Sequence, residues 1–145
     1  VDGRVAAARG PQTALVSLET MDEQIETMRS QPAELARRVL SFAARYGARS
    51  EDLFATMIDL YIAGRVGAYP DVLLAAGIGD EEDRATAVAF IRHFCEQRNR
   101  IMAERALPLL DRGNAVIAVG ALHLYGEGGL VDRLRRAGFT VTRID

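Results

Sequence analysis

The residues best placed to do chemistry stand in the run from Asn114 to Gly129. An apolar, β-branched stretch ends at Gly120, and His123 follows three residues on, inside a glycine-rich turn that leads into a helical pattern. An imidazole at the carboxyl end of a buried strand stands where open α/β folds place their sites. There it serves as a metal ligand or a general base, or else it is a loop histidine bonded only to its neighbours. The glycines permit a sharp turn and leave room for a substrate to approach, which marks Gly120 and Gly126 as substrate-binding candidates. The second candidate is Glu19, directly after the apolar run 13–18. A carboxylate there is either a first-turn acid favoured by the helix dipole or, beside His123, half of a ligand set for a divalent ion. The third is Arg98-Asn99, which interrupts the apolar stripe Val88, Ile91, Cys95, Met102, Ala106 and Leu109 of a long helical segment. Inward polar groups need partners. The pair therefore binds substrate, orients a catalytic carboxylate, or ties the helix to the sheet.

The elements that must carry these residues can be read from pattern. Residues 2–8 end a helix that Gly10-Pro11 closes, and residues 13–18 read as a strand. Thr20 and Glu23 form a capping box for a helix from Met21 to about Met28. Residues 33–46 read as a helix stopped by Gly47. Ser50 caps a helix over 51–63 with Leu53, Met57, Leu60 and Tyr61 on one face. A shorter helix begins at Tyr69-Pro70 and ends near Gly77. Asp80, with Asp83 three residues later, opens a long helix reaching Arg105 or beyond, which Pro108 should kink or end. The acidic run Glu81, Glu82 and Asp83 reads as a solvated helix start, and His93 as a flank residue. The last third reads as a βαβ unit: strand 115–119, helix 129–137 closed by Gly138, strand 139–144. The expected fold class is α/β, a small mixed or parallel sheet with a long helical insertion and a C-terminal βαβ unit, in one domain over 1–145.

Composition narrows the functions. The chain has 145 residues, 49% hydrophobic and 26% charged, with a formal net charge of −2. These values suit one folded domain and speak against general nucleic-acid binding. Every basic residue is arginine, which excludes a lysine nucleophile, a Schiff base and a Walker-type phosphate loop. The single cysteine, Cys95, permits no internal disulfide and no cysteine zinc motif, and it sits where a small buried hydrophobe belongs. There is no Gly-x-Gly-x-x-Gly fingerprint between Gly120 and Gly129, although a phosphate-cradling helix start at Gly128-Gly129 remains. No stretch is long and apolar enough to span a membrane.

Three segments carry a family resemblance. The run Val116-Ile-Ala-Val-Gly-Ala-Leu-His-Leu-Tyr-Gly-Glu-Gly-Gly-Leu130, followed by Leu134-Arg-Arg-Ala-Gly-Phe-Thr-Val141, resembles the closing motif of the TraB/GumN family, which is related to the TIKI proteases that act on Wnt proteins. Arg98-Asn-Arg-Ile-Met-Ala103 resembles its arginine-asparagine helix, and Leu18-Glu-Thr-Met-Asp-Glu-Gln24 its Leu-Glu-Thr segment. The resemblance spans essentially the whole chain. It implies an erythromycin-esterase/ChaN-like α/β core and two Gly-x-x-His motifs with acidic residues around a divalent metal. Gly120-Ala-Leu-His123 matches the second motif, and nothing in the chain matches the first. The chain is thus expected to be the carboxyl-terminal part of a longer domain. The implied activity is a metal-dependent, peptidase-like hydrolase of bacterial type. In it His123, Glu19 and Arg98 are catalytic, His123 and Glu19 hold the metal, and Asn99 joins the two glycines in binding a peptide or other small substrate. The alternative is a non-catalytic binding or assembly module associated with polysaccharide biosynthesis or export. Self-association into a homo-oligomer is a further expectation. The compartment stays open between bacterial envelope, periplasm and cytoplasm.

Overall fold

The structure is a computed structural model and describes residues 2–75 and 79–144. Among the described residues seven α-helices run in chain order: α1 (Asp2–Ala7), α2 (Met21–Arg29), α3 (Ala33–Tyr46), α4 (Ser50–Ile62), α5 (Tyr69–Ala75), α6 (Glu81–Leu110) and α7 (Leu130–Arg136). Short 3₁₀ turns occupy Gly47–Arg49, Val66–Ala68 and Ala121–His123. The long α6 is the axis, and α2, α3, α5 and α7 pack against it. α4 packs on α5 and on the two short turns that flank it.

The local signals explain where these helices begin and end. Thr20 Oγ1 accepts from the Glu23 amide at 3.3 Å, and the Glu23 carboxylate accepts from the Thr20 amide at 2.7 Å. Asp80 and Asp83 repeat this exchange at the start of α6, at 2.9 and 3.3 Å. Each box satisfies two amides that a helix start otherwise leaves without partners. α7 ends in a Schellman motif: Gly138, at φ 95°, lets its own amide reach Arg135 O and the Phe139 amide reach Leu134 O, both at 3.0 Å. Three local expectations are corrected. Ser50 lies inside α4, because the turn Gly47–Arg49 runs straight into it and Arg49 is the N-cap. Pro108 does not end α6, which continues to Leu110, since a proline in the last turn removes few bonds. Asp83 is buried rather than solvated, and it pairs with Arg45 to tie α3 to α6. The end of α5 expected near Gly77 lies outside the described residues.

The expected α/β class is overturned. The described residues contain no strand, so there is no sheet, no βαβ unit and no erythromycin-esterase/ChaN-like core. Residues 13–18, 115–119 and 139–144 run without ladder hydrogen bonds, and Leu15, Val16, Val116 and Ile144 are 66, 52, 90 and 93% exposed. β-propensity measures fit against a neighbouring strand more than a preference of the backbone itself. A parallel sheet also needs cover on both faces. Here two of the segments are anchored at their ends: Leu18 and Val119 pack on the core of Met102, Ala103 and Leu130, between α6 and α7. That core positions the site, because Glu19 follows Leu18 and Gly120 follows Val119.

Candidate functional site

Asn99 is the centre of the polar cluster. It lies on α6 at 3% exposure, and both ends of its amide are engaged. Nδ2 donates to Gly128 O at 3.1 Å, and Oδ1 lies 2.7 Å from His123 Nδ1. The carbonyl at Gly128 can only accept, which fixes the amide nitrogen on that side. The amide oxygen therefore faces the ring and can only accept, so His123 Nδ1 carries the proton and donates it. The lone pair of the neutral ring is left on Nε2. His123 is buried, at 7% exposure. Burial holds its pKa below the usual histidine value; the Arg98 charge pushes the same way and the Glu19 charge opposes both. The ring is thus a neutral base whose back atom is held, the arrangement of metal-binding and general-base histidines.

Arg98 and Glu19 form the second layer. Arg98 Nε donates to Glu19 Oε1 at 3.0 Å, and its terminal nitrogen donates to Oε2 at 2.9 Å. The side chains are 17 and 9% exposed, so this two-toothed pair is partly desolvated and stronger than a surface pair. Of the roles open to Arg98, the geometry displays the orienting of a carboxylate. The sequence-selected Glu19, Arg98, Asn99 and His123 thus stand in one cluster. Their meeting does not need strand tips, because the Leu18 and Val119 contacts with the α6–α7 core bring the two loops together.

The glycines divide. Gly126 has φ 76°, a conformation side chains resist, whereas a Cβ on Gly120 would meet His123 Cδ2 at an ordinary 3.6 Å. The Gly128 amide donates to Asp132 Oδ2 at 2.8 Å, so this chain's own carboxylate already occupies the proposed phosphate cradle. Cys95 is buried, and its thiol is pushed up by that burial against the opposing Arg98 charge, which suits an inert core residue. His93 donates from Nε2 to Thr27 O at 3.2 Å and ties α2 to α6.

Two supports escaped sequence reasoning. Arg105 donates to Leu18 O at 3.0 Å and to both Glu23 oxygens at 2.8 and 2.7 Å. With Arg98 it clamps the 18–23 segment from one face of α6. The Arg105 bond and the Thr20 amide lower Glu23 to about 2. The signal was present, since positions 98 and 105 are two helical turns apart and share a face. Tyr125 is the other. Its ring lies over Gly67, where a Cβ would fall 2.0 Å from ring carbons, so the turn Val66–Ala68 rests on the loop that carries His123. Only long-range packing shows that contact.

The donor set decides how a divalent metal fits. His123 Nε2 suits one ligand position. Glu19 gives both oxygens to Arg98 and suits a neighbouring charge better than an inner ligand. Among the described residues no group of three or more His, Cys, Asp or Glu is gathered to hold an ion. No described helix is long and apolar enough to cross a membrane.

Residues 1–143 match the model of the TraB/PrgY/gumN family, and the chain belongs to that family. No curated protein and no solved structure matches it.

Proposed function

We propose that this chain carries the histidine-bearing part of a metal-assisted hydrolytic site acting on a peptide or related acyl bond. The observation that carries the reading is the His123 ring, kept neutral by burial and held through Nδ1 by Asn99, with no hydrogen bond to its basic atom Nε2 among the described residues. Family membership supports it at the level of the family alone.

His123 Nε2 would provide one ligand to a divalent ion, with further donors needed to complete a set. When bound, such an ion supplies a water acidified enough to act as a nucleophile near neutral pH. Asn99 is a positioning residue: it fixes the tautomer and the ring plane. Glu19 balances the Arg98 charge beside the ring, and Arg98 keeps that carboxylate in place. Gly126 shapes the turn past the histidine. The test is zinc or manganese titration of the complete natural protein, where further donors can complete the ligand set, with peptide hydrolysis as a second readout. Stoichiometric binding that His123→Ala removes and His93→Ala preserves is the expected result. Wild-type protein that binds neither ion and cleaves no peptide overturns the reading.

The second reading, a non-catalytic binding or assembly module, draws on the exposed large apolar side chains Phe54, Ile58, Tyr61 and Ile62 of α4. Under it His123→Ala changes stability and leaves partner binding intact.

A further inference from the structure

The Gly128 backbone is gripped from both ends by two side chains of α7. Its amide donates to Asp132 Oδ2 at 2.8 Å, and its carbonyl accepts from Arg133 Nε at 2.8 Å. The bond from the Gly128 amide holds the Asp132 carboxyl below its usual value, so that acceptor is a charged one. Between the two bonds Gly128 has φ 74°, a backbone that glycine adopts at low cost. The Gly129 amide, in the same peptide plane as the Gly128 carbonyl, donates to Gly126 O at 3.1 Å. The plane therefore has little freedom to turn. Arg133 is half-buried and forms no ion pair among the described residues, whereas Arg136, one turn on, takes Asp132 and Glu127. Its Nε is given to a loop carbonyl instead.

That carbonyl has two lone pairs, and Asn99 Nδ2 uses the other at 3.1 Å. Asn99 offers its oxygen to His123 Nδ1 only while its nitrogen faces Gly128. We propose that Arg133 is a positioning residue for the His123 site: by fixing the Gly128 carbonyl it fixes the Asn99 amide, and through that amide the tautomer of the ring. This rests on the hydrolytic reading of the site and adds an outer layer to it, since the partner of one ring nitrogen decides which nitrogen is left as the base or ligand. Arg133 stands two bonds removed from the ring and acts by placement alone.

Nitrogen-15 NMR of this chain with neither ion nor peptide added tests the assignment, so its failure is separate from a failure of hydrolysis. Arg133→Met puts a methyl group where Nε stood, and Arg133→Gln puts an amide nitrogen there; both residues are good helix formers. In Arg133→Met the Asn99 Nδ2 protons exchange with solvent faster, on the order of tenfold, the scale of one hydrogen bond to a charged group. Part of the His123 population also moves its proton to Nε2. Arg133→Gln returns both readings toward the wild type. The His93 ring, bonded to Thr27 O, keeps its wild-type signals throughout and reports an intact fold. In an Asn99→Leu chain, adding Arg133→Met leaves the His123 spectrum unchanged, because the route through Asn99 is gone. Wild-type Asn99 exchange and His123 tautomer in Arg133→Met overturn the proposal and leave Arg133 a support of the loop alone. A His123 change that persists without Asn99, or that Arg133→Gln fails to reverse, overturns it as well.

Discussion

Replacing Asn99 with leucine removes an amide whose two ends are bonded inside the fold, while keeping a side chain of similar bulk. The His123 Nδ1–H loses an acceptor at 2.7 Å and stays buried. A buried donor left without a partner costs about 1–3 kcal/mol. Gly128 O loses the Asn99 bond but keeps Arg133 Nε at 2.8 Å, so this side adds about 1 kcal/mol. The expected total is about 2–4 kcal/mol, read from the midpoint of urea unfolding at unchanged slope. Asn99→Asp separates the hydrogen bond from its charge. One carboxylate oxygen still accepts from the ring, and the negative charge beside it moves the His123 pKa from below its usual value to above it. Asn99→Leu unfolding within about 0.5 kcal/mol of the wild type, the range of ordinary surface changes, would refute the reasoning. So would an Asn99→Asp protein whose His123 titrates as before.

Arg98→Met and Glu19→Gln should move the His123 pKa in opposite directions in an NMR titration, upward and downward respectively, because the two charges act on the ring with opposite sign. Arg98→Met should also cost about 1–3 kcal/mol, the loss for a buried pair discounted for its partial exposure. Gly67→Ala should destabilise by about 1–3 kcal/mol through collision with the Tyr125 ring, and Tyr125→Ala in the same chain should recover most of it in a double-mutant cycle. The lowered His123 pKa stabilises the fold fully above the unfolded-state value of 6.5, and that contribution is lost as pH falls toward the folded-state value. Unfolding measured across this window should show stability rising with pH in the wild type and a weaker dependence in His123→Gln.

Features whose cause is local were legible in the sequence. The capping box Thr20/Glu23 forms as read, and Asp80 opens α6 as read, each decided by residues three apart. The inward Arg98-Asn99 was legible because polar residues on an apolar stripe demand partners, and they have them. The strands at 13–18, 115–119 and 139–144 were misread because apolar β-branched runs, and the alternation of the last segment, report a surface suited to a sheet, not the neighbour that completes one. Arg45 on Asp83 and Tyr125 on Gly67 depend on how distant helices dock, which no local pattern encodes. The gathering of Glu19 with His123 was inferred from strand ends, yet Leu18 and Val119 achieve it by packing on the α6–α7 core.

The proposed site depends on the protonation of the His123 ring. The His123 ring donates through Nδ1 and the His93 ring through Nε2, so nitrogen-15 NMR of the histidine side chains in the wild-type protein at neutral pH tests it most directly. A neutral ring protonated at Nδ1, in the resonance that His123→Ala removes, is the result expected. A His123 ring protonated at Nε2, or charged at neutral pH, would contradict it.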